Sequence, residues 1–127
     1  MKRTKFSIRR RAHSFKYAFN GLRLLFLEEH NSRIHLVAAL CAILAGILFK
    51  ITLFEWIALT FAIGLVFVVE TVNSSIENTA DLIGMEKNNK IKRIKDLSAA
   101  AVLISAICAL VIGALVFIPR IISLLQN

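Results

Sequence analysis

The chain has 127 residues, 57% of them hydrophobic, with a mean hydropathy of +0.72 and a single proline; it is long enough for one domain and too apolar for an ordinary water-soluble one. Its formal charge of +8 comes from 16 Lys and Arg against 8 Asp and Glu, but no helix-turn-helix punctuation and no basic and aromatic interleaving accompanies it, so nucleic acid is not the expected partner. Cys41 and Cys108 lie inside apolar runs and carry neither a metal nor a disulfide pattern.

Residues 1–14 are polar and basic, with Arg9, Arg10 and Arg11 in a row. The next stretch is amphipathic and offers no small-residue cleavage site, so a cleaved targeting peptide is not expected. From Phe15 the apolar residues fall at 15, 18, 19, 22, 25 and 26, with Lys16, Asn20 and Arg23 between them, which is the i, i+3, i+4, i+7 pattern of a helix. A basic amphipathic helix suits the membrane interface; the same pattern also serves a helix packed against a bundle. This surface region is assigned to 1–32.

Ile34 to Phe49 is apolar apart from His35. These 16 residues rise roughly 24 Å against a hydrocarbon core of roughly 30 Å, so the first span is expected to continue past Lys50, which can snorkel, and to occupy 34–54. A second span over 52–69 runs without a breaker into Glu70 to Ile83, where apolar and polar residues alternate at helical spacing. One long helix should therefore leave the membrane and end at Gly84, with Gly84 to Lys95 a short polar loop. Leu97 to Ile118 carries no charge in 22 residues and stops at Pro119 and Arg120, which places the third span at 97–118.

The basic residues set the orientation. Nine of the 16 precede the first span, five (Lys87, Lys90, Lys92, Arg93, Lys95) fall between the second and third, and only Lys50 and Arg120 lie on the other side. The positive-inside rule then puts the N-terminus in the cytoplasm and the C-terminus outside. The expected fold class is an all-α membrane protein, a single domain over 1–127 with three transmembrane helices and an N-terminal surface helix.

Unusual polarity converges on the cytoplasmic face. Glu70, Asn73, Glu77 and Asp81 are spaced i, i+3, i+7 and i+11, within about 80° of one another around a helix axis. An acid at the centre of a bilayer helix costs about 2.5 to 3.5 kcal/mol, so such a stripe belongs at the interface, facing other helices. Glu28 and Glu29 before the first span, and Lys95 and Asp96 before the third, are expected at the same level. Carboxylates converging from separate helices suit Mg²⁺, which takes one or two of them plus waters and substrate phosphates, and the chemistry implied is phosphoryl transfer. Each group also has a structural reading: Glu28 and Glu29 as a solvated pair, Lys95 and Asp96 as a helix-end ion pair, the stripe as a face bridged by lysines. The five glycines are scattered, so there is no Walker loop and no G-x-G-x-x-G turn.

Glu70-Thr71-Val72-Asn73-Ser74-Ser75-Ile76-Glu77, then Asp81-Leu82-Ile83-Gly84, then Lys95-Asp96-Leu97-Ser98-Ala99-Ala100-Ala101-Val102 resemble the signature of the small bacterial diacylglycerol kinase and undecaprenol kinase family. The resemblance extends upstream through Gly21-Leu22-Arg23 and Glu29 to Arg33 and so covers nearly the whole chain. It implies an ATP- and Mg²⁺-dependent lipid kinase of the bacterial inner membrane, assembled as a homotrimer with active sites shared between protomers. By position it implies Glu70 as general base, Asn73 beside the transferred phosphate, Glu29 and Glu77 as metal-binding carboxylates, Lys95 and Asp96 as nucleotide contacts, and Arg10 as a further one. His13 stands where the proteobacterial diacylglycerol kinases have lysine, Phe19 where they have tryptophan, and His35 where they have glutamate; these departures touch lipid choice more than chemistry. The small residues of the third span, among them Ala106, Ala109, Gly113 and Ala114, suit close packing between protomers or inside one.

Two rival readings come from other classes. In a small transporter Glu70 would be a coupling-proton site near the bilayer midplane, whereas here the acids advance outward into a basic region. A membrane scaffold would give the carboxylates no role.

Overall fold

The structure, a computed structural model, describes residues 6–84 and 88–127; Lys87 of the second loop lies outside them. The fold is all-helical. Among the described residues there are four helices: α1 (Ile8–Glu28), α2 (His30–Leu48), α3 (Leu53–Ile83) and α4 (Asn89–Leu125). The last three are long and apolar enough to cross a membrane, and the chain is a membrane protein. Many large apolar side chains face outward, Leu48, Phe54 and Leu110 among them, as they should where lipid rather than water is the solvent.

α3 and α4 form the most extensive pairing, while α2 meets α3 over a shorter stretch and α1 touches both α2 and α3. A small core of Ile51, Leu59 and Val116, with Phe49, Trp56, Ile63 and Phe117 against it, closes the end of the bundle opposite the carboxylates. Gly46 is buried there, so close to Trp56 that a Cβ would stand 2.7 Å from the tip of its ring.

The sequence placed several helix ends differently. α2 does not continue through Lys50 toward Phe54; it stops at Leu48. Lys50 takes a left-handed φ of 49°, and its N–H and that of Ile51 bond back to the carbonyls of Ile47 and Gly46, the double closure of a Schellman motif. α3 then restarts with a capping box, in which Thr52 accepts from the Glu55 N–H and the Glu55 carboxylate accepts from the Thr52 N–H at 2.7 Å. α3 itself is one unbroken helix of 31 residues ended by Gly84 at φ 71°, the conformation for which glycine carries no Cβ penalty.

The polar stretch from Gly84 to Lys95 is not all loop. Asn88 caps α4, accepting from the Lys90 N–H at 2.9 Å, so Lys90 to Lys95 are helical. Nor does Pro119 end this helix, which runs on to Leu125. A proline costs one backbone hydrogen bond, which membrane helices tolerate where neighbours re-satisfy the freed groups, and Arg120 beside it is pinned to Glu55 of α3.

Candidate active site

The stripe on α3 faces the other helices at one end of the bundle. Glu70 is the most enclosed of its acids, only 2% exposed. His35 of α2 brings its Nε2 to 3.1 Å from Glu70 Oε1, at an angle that leaves this oxygen without an aligned hydrogen-bond donor among the described residues. One turn further along α3, Ser74 Oγ donates to Glu29 Oε1 at 2.8 Å. The two contacts are rungs of one antiparallel pairing: six residues along α2 correspond to four residues back along α3. Glu29 and Glu77 both lie within electrostatic reach of Glu70, but among the described residues no three acids, histidines or cysteines stand close enough to hold one metal ion.

Glu29 owes its place to a joint. It is the single extended residue (φ −99°, ψ 112°) between α1 and α2. Arg33, one turn into α2, reaches back to the end of α1, donating from Nε to the Phe26 carbonyl at 2.8 Å and from Nη2 to that of Leu27. A cation on the last carbonyls of a helix satisfies orphan acceptors and complements the helix dipole. Glu28 and Glu29 do not act as a pair: Glu28 ends α1 exposed, and Glu29 turns inward.

The α4 side is held by two cross-links. Asn73 Oδ1 accepts from Ser98 Oγ at 2.6 Å, and Lys95 Nζ bonds Asp81 Oδ1 at 3.0 Å. Lys95 and Asp96 are not paired with each other, since Asp96 takes Lys92 of its own helix at 2.9 Å. Arg10 is exposed on α1, and among the described residues no side-chain contact joins it to the cluster. Glu29 and Glu77 thus lie within electrostatic reach of Glu70, Asn73, Asp81 and Lys95 line the α3–α4 seam, and among the described residues Asp96 and Arg10 bond none of these groups. The sequence had marked His35 only as a departure, had placed Ser74 and Arg33 in the resemblance without a role of their own, and had counted Ser98 among the small residues of the third span. Ser74 does share the stripe, four residues from Glu70 and three from Glu77.

Beside this cluster a cavity of about 650 Å³ opens between α2, α3 and α4. Its walls are mostly small or apolar, including Ala39, Ala42, Ala62, Ala109 and Gly113, and His35 forms its polar edge. The lining residue Val66 is one helical turn from Glu70.

Residues 16–117 match the family model of prokaryotic diacylglycerol kinases. The chain belongs to this family. It is 34% identical over 107 residues to an undecaprenol kinase of Bacillus subtilis, covering 84% of this chain and 87% of that one. A diacylglycerol kinase of Synechocystis is 32% identical over 113 residues, covering 88% and 65%, and one of Escherichia coli is 35% identical over 95 residues, covering 75% and 78%. The family is one of lipid kinases, so neither the transporter nor the scaffold reading is favoured.

Proposed function

We propose that the chain transfers the γ-phosphoryl group of ATP to the hydroxyl of a membrane lipid, diacylglycerol or undecaprenol, feeding phospholipid or cell-envelope lipid metabolism. The observation that carries this reading is the position of Glu70, a buried carboxylate beside Glu29 and Glu77 and next to a cavity with apolar walls. From Leu53 to Glu70 the helix rises about 26 Å, so if Leu53 starts at one face of the hydrocarbon core, Glu70 stands near the other. A lipid can then place its chain in the cavity and its hydroxyl at Glu70, while ATP approaches from the aqueous side.

In this reading Glu70 accepts the hydroxyl proton as the lipid oxygen bonds to the γ-phosphorus, the bond from that phosphorus to its bridging oxygen breaks, and ADP leaves. Asn73 stands beside the transferred group, and Lys95, Asp96 and Arg10 contact the nucleotide. Glu29 and Glu77 are the ligands for Mg²⁺. They fit it in kind: both are hard oxygen donors near a third carboxylate, and Ser74 occupies only one oxygen of Glu29. No group of three or more side chains that could hold a metal occurs among the described residues, so phosphates and water would have to supply the rest of the coordination. When bound, Mg²⁺ neutralises charge on the phosphate oxygens.

The single domain lies in the inner membrane with α2, the first part of α3 and most of α4 as spans, α1 at the cytoplasmic surface and the C-terminus outside. Three copies assemble with shared sites. The test is Glu70→Gln, assayed with labelled ATP and each lipid in turn: turnover is lost while folding and insertion persist. Retention of more than roughly a tenth of wild-type turnover would sink the reading, because base catalysis is typically worth about 10² to 10⁴.

A further inference from the structure

Glu70 Oε1 is a buried acceptor with no aligned donor among the described residues, an expensive condition for a carboxylate in an apolar setting. The His35 ring is in the right place to relieve it. Its Nε2 lies 3.1 Å from that oxygen, and the outer torsion of a histidine is soft enough for a modest turn to align an N–H with it. The same ring edges the cavity, so it adjoins both the carboxylate and the space for the lipid. Its height is fixed from below: six residues earlier, Glu29 is tied to Ser74, which sets the register of α2 on α3.

We infer that His35 is a positioning residue for Glu70, its ring N–H holding Oε1 and leaving the second oxygen turned toward the lipid hydroxyl. This rests on the reading of Glu70 as the general base. A neutral imidazole suffices, because the role requires a donor rather than a charge. A carboxylate fixed at one oxygen keeps the other in a single orientation, and a misplacement of about 1 Å can cost on the order of 10²-fold in rate. The plainer role, a side chain that only walls the cavity, would act on lipid binding instead.

Three variants separate these. His35→Leu keeps bulk and removes the donor; His35→Gln supplies an amide N–H near the position of Nε2; Glu70→Gln serves as the reference for the base. With kcat and the KM values for lipid and ATP measured in mixed micelles, His35→Leu lowers kcat by about 10- to 100-fold with both KM values little changed, and His35→Gln recovers a large part of the loss. Should His35→Leu not fold, His35→Ala assayed with and without added imidazole reads the same quantity, and stimulation by imidazole is expected. An unaltered kcat, equal losses in the Leu and Gln variants, no stimulation by imidazole, or an effect confined to the lipid KM each overturns the inference while the base reading stands. A Glu70→Gln protein that still turns over removes the base reading and this inference with it.

Discussion

Ser74 Oγ donates a 2.8 Å hydrogen bond to Glu29 Oε1 across 45 positions of sequence. It ties the only non-helical residue between α1 and α2 to the middle of the acidic stripe, so the proposed metal ligand is held by a group from the helix that carries the proposed base.

Removing that tie should be felt at the metal. Ser74→Ala is expected to raise the Mg²⁺ concentration for half-maximal rate by about 10- to 100-fold, the usual effect of losing a partner that orients a ligand, with lipid KM unchanged. A Mg²⁺ titration matching wild type would separate Glu29 from the metal or Ser74 from its orientation.

Arg33 acts on the same carboxylate through the joint. Arg33→Gln removes the donors on the Phe26 and Leu27 carbonyls and is expected to cost about 1 kcal/mol, a partly exposed case of hydrogen bonds to a charged group, seen as a lower midpoint in thermal or detergent unfolding. The Mg²⁺ requirement should rise along with it. Loss of stability with unaltered metal dependence would mean that Glu29 holds its place without the cap.

At the other end of the bundle two substitutions have opposite signs. Lys50→Gly should stabilise the fold by about 1 kcal/mol, because Lys50 sits at φ 49° where a Cβ is unfavourable. Gly46→Ala should destabilise it by about 1 to 3 kcal/mol through overpacking against Trp56 and Ile51. Unfolding midpoints decide both, and a stabilised Gly46→Ala protein would show that the Trp56 ring moves aside freely.

The shared-site proposal is open to complementation. Glu29, Glu70 and Glu77 form one neighbourhood within a single chain, so Glu70→Gln co-expressed with Glu77→Ala or Glu29→Ala is expected to stay inactive. Glu70→Gln with Asp96→Ala should regain part of the activity, since Asp96 bonds Lys92 of its own helix and, among the described residues, no member of that group. If mixed oligomers form and the second pair stays inactive, each active site is confined to one chain.

The features legible in the sequence were local ones. The single α3 helix and its end at Gly84 come from unbroken periodicity and one glycine, and the common face of Glu70, Asn73, Glu77 and Asp81 comes from helix geometry alone. The ends of α2 and α4 were misjudged because Lys50 in a left-handed turn and Pro119 inside a helix both run against residue preference, and tertiary ties at Ile51 and Arg120 outweigh it. The pairings of Glu29 with Ser74, Glu70 with His35 and Lys95 with Asp81 join helices distant in sequence, and no periodicity within one helix can announce them.

The links between α3 and α4 fall at both ends of the pair, Asp81 to Lys95 and Asn73 to Ser98 at one, Glu55 to Arg120 at the other. α2 is held at its far end as well, where Phe49 and Trp56 pack on the core of Ile51, Leu59 and Val116 and Arg120 Nη1 donates to the Phe49 carbonyl at 3.5 Å. Near its start two contacts, Glu29 with Ser74 and His35 with Glu70, hold it to α3, and the cavity lies between the two ends. A cavity braced at both ends keeps its shape, so a lipid chain entering it would meet walls set in advance and the helices would have little ordering left to lose on binding.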